Sequence, residues 1–583
     1  MRVLQLHADF IEYEPIEKEI QQAEESEKKK YRLEDILVLL TCVEEGDNEE
    51  TGRKAIDEVK GFLQKIKSNK ILIYPFAHLS PTISKPTNAL KVIKEMETYA
   101  KKSGIETFRA PFGWNKALQI KVKGHPLAEQ LRVISLEKEE RVSEAIKAEE
   151  KIKSYWFILS PEGKMTEVNN FDFTKNPNLK KFADYEISKV RVSQQIPPHV
   201  ILMRKLEIAD YESGSDPGNL RWYPKGRLIK SLLENFVTQK VIDYGGTEVE
   251  TPIMYDFQHP ALASYLNRFP ARQYIVKSED KELFLRFSAC FGQFLMSKDA
   301  QISYKNLPFR IYELTRYSFR REKSGEVVGL KRLRAFTMPD VHAICEDMKQ
   351  AMEEFMVRFK LCMEVLKEIG LEKEDYELAI RFTKDFYEKN KNFVLSLVKL
   401  FGKPVLVEMW PERFFYFVLK WEFNFVDNLN KAAALSTDQI DVENAERYGI
   451  TYIDKNGRKK HPIILHCSPS GAIERCIYAL LEKAYSEQQK GKIPKLPLWL
   501  SPTQVRIIPV SNKFLKDAEK IAKDIEKNCV RVDIDDREET VSKKIRDAEI
   551  EWVPIICVIG SKEVKNKIIT TRFREKKEVK EIK

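Results

Sequence analysis

The sequence predicts a multidomain chain of mixed α+β and α/β class, and three observations carry that expectation. Its 583 residues suit roughly three or four domains, and a 43% share of hydrophobic side chains suffices for a core in each. At both ends of the chain, short runs rich in Leu, Ile and Val alternate with segments of helical apolar spacing, as α/β units require. The middle instead carries longer alternating runs that meet through a charged loop, which points to antiparallel pairing.

Composition narrows the function classes. With 99 basic against 89 acidic residues the net charge is +10, a mild excess that favours a polyanionic partner. The eight cysteines show no paired short spacing, and a chain of this size needs no disulfides, so a reducing, cytoplasmic setting is expected. The start, MRVLQLHADFIEYE, carries acids where a signal peptide needs a positive flank and an apolar core. No run approaches ~18 apolar residues, so no membrane-spanning helix is expected.

In chain order, residues 1–145 read as one α/β domain. RVLQLHADF, DILVLLTCV and ILIYPFAHL are strand-like, while TGRKAIDEVKGFLQKIK and NALKVIKEMETYAKKSG have helical spacing. Residues 146–195 are lysine- and glutamate-rich and read as a solvated linker holding a helix and a small hairpin. The composition changes at PPHVILMRKLEIADYES, which opens a large central domain, 196–497. There GNLRWYPKGRLIKSLLENFVTQKVIDYGGTEVETPIM predicts a long amphipathic helix, a Gly-Gly turn and a strand ending at Pro252. From 498 to 583 strand and helix alternate again, which predicts a small α/β domain with a largely parallel sheet.

The densest chemical signal lies at the centre. In PFRIYELTRYSFRREKSGEVVGLKRLRAFTMPDVHAICE, two strands flank a loop crowded by Arg316, Arg320, Arg321, Lys323, Lys331, Arg332 and Arg334. So many cations beside a strand pair suit a polyphosphate or the end of an RNA, and a solvated basic hairpin is the alternative. Downstream, PSGAIERCIYALLEKAY starts a helix at Gly471 with Arg475 one turn in. There a small residue permits close approach and the helix start adds its dipole. Cys290, His342 and His466 are 52 and 124 residues apart, too far for any local metal-finger spacing.

These motifs resemble the class II aminoacyl-tRNA synthetases. The spelling FRRE, then SG, then GLKRLRAFTMPDVH is similar to archaeal threonyl-tRNA synthetases, and the resemblance extends over nearly the whole chain. It implies a class II antiparallel-sheet catalytic core between two α/β domains, and a homodimer built on the first motif, whose family proline matches Pro252. The implied reaction joins L-threonine to tRNA(Thr) with ATP and magnesium, through a threonyl-adenylate. Arg320 falls at the α-phosphate position, Glu322 beside the adenine amino group, Phe336 at the ring stacked on adenine, and Arg332 at a second loop position. Arg475 falls at the γ-phosphate position, and Lys420 and Gln439 at further positions lining the pocket.

The same resemblance places Cys290, His342 and His466 where the family holds one zinc per subunit, and Asp340 at the acid that receives the substrate hydroxyl. Valine, which lacks that hydroxyl, would be rejected by about 10⁴ or more, whereas serine differs by a methyl worth ~1–3 kcal/mol. Too small a difference for faithful translation, it explains a second, hydrolytic domain. Residues 1–145 resemble the archaeal editing domain, similar in fold to D-aminoacyl-tRNA deacylases, with His78, Lys116 and Glu129 around the mischarged 3′ end. Asn115 stands where a relative has Tyr, so that role does not carry over. FSACFGQF, Met338-Pro339 and Phe417 depart from bacterial relatives and fit the archaeal branch.

The C-terminal domain resembles the anticodon-binding domain shared by the threonyl, prolyl, histidyl and glycyl enzymes. Arg537 and Glu539 then face anticodon bases, and Arg546 backbone phosphate. Two other classes remain as alternatives, a non-catalytic tRNA-binding paralogue and an editing factor with a decayed synthetase module. Both would show losses at Arg320, Arg475 or a metal ligand, and none is lost.

Overall fold

A computed structural model describes the chain except residues 67, 126, 135–152, 189–194, 267–272 and 323, with no side chain described at 65, 264, 265 or 324. Lys323 of the basic loop therefore lies outside the described residues. The chain forms two compact units, Met1–Arg141 and Val142–Lys583.

The first unit follows the expected alternation: β1 (Arg2–Lys18), β2 (Tyr31–Cys42), α1 (Glu49–Ile66), β3 (Lys70–Pro75), α2 (Pro86–Lys102), β4 (Glu106–Arg109), β5 (Trp114–Val122) and β6 (Glu129–Val133). One sheet runs β4-β3-β2-β1-β5, with β6 also pairing on β1. β2, β3 and β4 are parallel, as the α1 and α2 crossovers demand. The apolar run of β2 is buried on both faces. Leu37 and Leu39 pack with Ile56, Val92 and Met96 of the helices, while Ile36, Val38 and Leu40 pack with Tyr13 and Tyr74 on the other side.

The second unit is built on a ten-stranded sheet. Its elements are β7 (Tyr155–Leu159), β8 (Met165–Glu167), α3 (Pro177–Ser188), α4 (Pro224–Asp243), β9 (Thr247–Glu248), α5 (Cys290–Asp299), β10 (Phe309–Phe319), β11 (Ala335–Cys345), α6 (Met348–Glu368), β12 (Tyr376–Thr383), β13 (Val405–Trp410), β14 (Phe417–Val426), β15 (Ala432–Asp441), β16 (Ile463–Ser468) and α7 (Ile473–Gln489). The order is β9-β10-β11-β16-β15-β14-β12-β13-β7-β8. Only β9 on β10 and β12 on β13 are parallel. The two strands flanking the arginine loop pair antiparallel, Phe309 opposite Ile344 and Phe319 opposite Ala335, as the sequence predicts.

Three expectations are corrected. The described part of 146–195 is no solvated linker: β7 pairs with β13, and Leu179, Phe182 and Ala183 of α3 bury against Leu406 and Ala432. The continuous apolar run YWFIL buries Ile158 on one face of β7 and Leu159 on the other, and the i, i+3, i+4 spacing on α3 makes an apolar stripe that must be covered. The lysine- and glutamate-rich helix expected before them lies outside the described residues. The strand after the Gly-Gly turn is only Thr247–Glu248 and stops short of Pro252. The Thr251 N–H leaves the ladder for the Glu313 carboxylate at 3.2 Å, and Pro252 has no N–H to donate.

The third correction concerns the C-terminal segment, β17 (Val505–Pro509), α8 (Leu515–Glu526), β18 (Val532–Ile534), α9 (Val541–Ile550), β19 (Ile555–Ile559), β20 (Ile569–Phe573) and β21 (Glu578–Ile582), in sheet order β18-β17-β19-β20-β21. β18, β17 and β19 are parallel, but the basic end folds into an antiparallel hairpin. Too few residues separate β19, β20 and β21 for the crossovers that parallel pairing needs.

Candidate active sites

Sheet register assembles the central site. Lys420 lies opposite Gln439, Gln439 opposite His466, and His466 opposite His342, so one rung crosses β14, β15, β16 and β11. The two-residue period of a strand also puts Phe336, Asp340 and His342 on one face of β11. α5 brings Cys290 to that face.

The donor atoms of Cys290, His342 and His466 all lie within 4.8 Å of one another, and all three residues are buried. The Cys290 Sγ is 3.1 Å from His342 Nε2 and 3.4 Å from His466 Nδ1, and those two nitrogens are 3.2 Å apart. The other ring nitrogens fix the tautomers. His342 Nδ1 donates to Gln293 Oε1 at 2.6 Å, and His466 Nε2 donates to Asp441 Oδ2 at 2.7 Å. Each imidazole therefore turns a lone pair toward the thiol, the arrangement by which outer carboxylates and amides orient metal-bound histidines. Burial, with His466 and Arg358, holds the His342 pKa well below its ordinary value, so its ring is neutral, the ligating form. Two imidazoles and a thiol fit zinc and leave coordination open, as catalytic zinc sites do.

Asp340 lies two residues before His342 on β11 and is tied to the residue preceding Cys290. Its Oδ2 accepts the Ala289 N–H at 2.9 Å and the Thr315 hydroxyl at 3.1 Å. Desolvation pushes its pKa up to about 6, with the two hydrogen bonds opposing. With a pKa of about 6 it is mainly an ionised acceptor at neutral pH. Gln439 accepts from the Tyr416 hydroxyl at 2.6 Å, and Lys420 pairs with Glu422 at 2.7 Å.

The three arginines converge next to this face. Burial, together with the like charges of Arg332 and Arg320, lowers the Arg475 pKa to about 10, with Glu322 and Glu422 opposing. A pocket in which guanidiniums repel one another is complementary to a polyphosphate. The Arg320 guanidinium lies 5.8 Å over the Phe336 ring. Arg332 pairs with Glu326 at 2.9 Å, and Arg334 donates to the Glu322 carbonyl at 2.8 Å. Gly471 has φ +70°, and a Cβ there would come within 2.3 Å of the Leu435 carbonyl. Its smallness therefore lets α7 sit against β15 and carry Arg475 into the pocket.

The editing candidates are less assembled. Lys116 is partly buried: its Nζ donates to the Pro111 carbonyl at 3.1 Å and the Trp114 carbonyl at 2.9 Å, and lies 5.0 Å over the Tyr74 ring. Desolvation lowers its pKa to about 8. His78 is exposed on the short turn Ala77–Leu79, its ring 5.3 Å from that of Phe76. Glu129 is exposed on β6 opposite Leu6, whereas Lys116 lies opposite Pro15. β1 is not straight between those partners: it carries a bulge at Ala8/Phe10, and Tyr13 beyond it packs edge-on against Tyr74 at 5.8 Å. Among the described residues no hydrogen bond or ion pair joins the three.

In the C-terminal segment, Arg537 and Glu539 are exposed in the loop between β18 and α9. Arg537 is oriented by Asp535 at 2.6 Å and Asp547 at 3.1 Å, and Glu539 pairs with Lys543. Arg546 is exposed on α9.

Gln293 and Asp441, which orient the two histidine rings, escaped the sequence reading. Position supplied a signal for both: Gln293 is one helical turn beyond Cys290, and Asp441 shares a strand face with Gln439.

Comparison with known proteins covers all three regions. Residues 1–134 match the archaea-specific editing domain of threonyl-tRNA synthetase, 274–484 the class II tRNA synthetase core domain (G, H, P, S and T), and 504–583 an anticodon-binding domain. The chain is 59% identical to a threonine–tRNA ligase of Thermococcus sibiricus over 99% of its length and 93% of the relative's. Identity is 55% with the Nitrosopumilus maritimus ligase, over 100% of this chain and 94% of that one. Among solved structures, the RNA-binding domain of threonyl-tRNA synthetase from Cryptosporidium parvum aligns with TM-score 0.57 at 24% identity, covering 66% of this chain and 94% of that one. Giardia lamblia prolyl-tRNA synthetase aligns with TM-score 0.53 at 16% identity, covering 66% and 74%, which supports the fold. With a relative this similar along nearly its whole length, the chain belongs to the threonine–tRNA ligases, in the archaeal form that carries an editing domain.

Proposed function

We propose that this threonine–tRNA ligase selects threonine at the Cys290, His342 and His466 cluster, activates it in the arginine pocket beside it, and clears seryl-tRNA(Thr) at the Lys116 region. The observation that carries the reading is the buried trio with Asp340 next to it, since Ala289, neighbour of Cys290, donates to Asp340. Cys290, His342 and His466 would hold zinc, which would supply a Lewis acid for the substrate amino and hydroxyl groups. Asp340 accepts the threonine hydroxyl. Valine leaves that acceptor unmatched, while serine satisfies it and must be removed later.

Arg320 and Arg475 take the α- and γ-phosphates of ATP, whose magnesium enters with it, and Phe336 stacks on adenine while Glu322 meets its amino group. Arg332, Lys420 and Gln439 line the pocket. The threonine carboxylate attacks the α-phosphorus and pyrophosphate leaves; a terminal ribose hydroxyl of tRNA(Thr) then attacks the adenylate carbonyl and AMP leaves. Positioning and electrostatics carry both steps. Arg537 and Glu539 contact the anticodon, with Arg546 on its backbone. His78, Lys116 and Glu129 surround the 3′ end during hydrolysis.

The working assembly is a homodimer in the cytoplasm. The exposed apolar Ile242, Ile253 and Met254, flanking the Gly-Gly turn after α4, support a subunit contact there. No described helix is long and apolar enough to cross a membrane.

Amino-acid-dependent pyrophosphate exchange, with metal content per chain, tests the reading. Exchange with threonine, weaker exchange with serine, none with valine, and about one zinc per chain are expected. A folded, zinc-loaded protein that exchanges with none of them refutes it.

A further inference from the structure

In the proposed ATP pocket Arg475 carries like-charge repulsion from both Arg332 and Arg320. Two backbone carbonyls hold it there. Its Nε donates to the Lys331 carbonyl and its Nη1 to the Ala434 carbonyl, each at 3.0 Å. Ala434 is fixed by the sheet, paired with Asn424 of β14. Lys331 belongs to a loop, so its carbonyl needs another anchor.

Its own side chain supplies one. The Lys331 Nζ donates to Asp427 Oδ2 at 2.8 Å, with the two side chains only 10% and 1% exposed. Asp427 is braced in turn. Its Oδ1 accepts the N–H groups of Leu429 and Lys431 at 3.0 and 2.9 Å, and the Tyr478 hydroxyl of α7 reaches Oδ2 at 3.2 Å. The loop also closes on itself, Val328 and Arg332 exchanging two backbone hydrogen bonds at 3.1 Å. Burial works against the Lys331 charge and Asp427 sustains it. A buried ion pair is weak evidence of stabilisation as such, which leaves its geometry to explain.

We propose that Lys331 and Asp427 form a latch that positions Arg475. The ion pair fixes the loop backbone, and the Lys331 carbonyl then holds the Arg475 guanidinium against its two cationic neighbours. Both residues act through Arg475, so they are positioning residues, and the inference rests on the reading of Arg475 as a phosphate ligand. A pair that merely stabilised the fold would, when lost, affect ATP and threonine alike. A latch affects ATP selectively.

The test measures KM for ATP and for threonine in pyrophosphate exchange on the full chain, with thermal unfolding alongside. Variants are R475A, K331M, D427N and the double K331M/D427N. Each latch single leaves one buried charge unpaired and lowers Tm; the double leaves none and recovers it. In the recovered double the latch predicts a KM for ATP raised about tenfold, and a KM for threonine within about twofold of wild type. An unchanged KM for ATP, or both constants rising together, overturns the latch. Should R475A itself leave the KM for ATP unchanged, the phosphate reading fails and takes the latch with it. R475A raising that KM while the double does not overturns the latch alone.

Discussion

The Cys290, His342 and His466 cluster and the editing candidates His78, Lys116 and Glu129 differ in how much of their geometry the backbone dictates. His342 and His466 face each other because β11 and β16 pair in a single register, and Gln293 and Asp441 lock both rings. In the first unit, His78 sits on an exposed turn and Glu129 on an exposed strand, while Lys116 is held by two backbone carbonyls. The contrast suits the two tasks proposed for these residues. Distinguishing a hydroxyl from a methyl needs a rigid, desolvated acceptor, because a polar group left unpaired there is what rejects the wrong substrate. A site that must admit the end of an RNA has to stay open, so the substrate itself completes it.

Removing one ligand breaks the comparison most sharply. Cys290→Ala is expected to lower threonine-dependent exchange by about 10³ or more, with bound metal falling below one per chain. Hydrolysis of seryl-tRNA by the same variant should stay within about twofold of wild type, since Cys290 and Lys116 belong to different compact units. Parallel loss of both activities in a folded protein would mean that the editing residues depend on the cluster.

How far sequence reached depended on the same contrast. The flanking strands of the arginine loop, the helix at Gly471 and the alternation in both α/β regions were legible because periodicity is local. Sequence spacing alone could not join Cys290 to His342 and His466, since only strand pairing brings residues 52 and 124 apart together; the family resemblance did so. Gly471 was read as making room for a ligand, whereas what closes on it is the Leu435 carbonyl. The segment containing β7 and α3 looked like a linker because its charges mask two narrow apolar faces, and only β13 and its neighbours reveal what those faces cover. Asp441 was missed because a residue that orients a ligand has no composition of its own.

A smaller change sharpens the comparison by testing whether the cluster is held by its outer partners or by packing. Asp441→Asn keeps an oxygen for the N–H groups of Glu443 and Asn444, which Asp441 accepts at 2.9 Å, but removes the carboxylate behind His466. Metal affinity, measured by competition with a chromogenic chelator, should fall by about 10–100-fold. Equal affinity in variant and wild type would assign the orientation of His466 to packing alone.

The smallest expected effect lies in the editing unit. Lys116→Ala should slow seryl-tRNA hydrolysis by about tenfold, the lower end of what one charged hydrogen bond supplies, and leave threonylation near normal. Its pH dependence identifies the working form. Desolvation lowers the folded-state pKa of Lys116 to about 8, so the ammonium dominates at pH 7 and is lost as the pH rises through 8. If the charge binds the 3′ end, the ratio of wild-type to Lys116→Ala rates is largest below pH 8 and declines toward one above it. If instead the neutral amine accepts a proton from water, the ratio climbs over that interval. Taking the ratio cancels the general increase of ester hydrolysis with hydroxide, which acts on both proteins. A ratio that stays flat through pH 8 would place the Lys116 nitrogen outside the chemistry, leaving the open site to the RNA and to water.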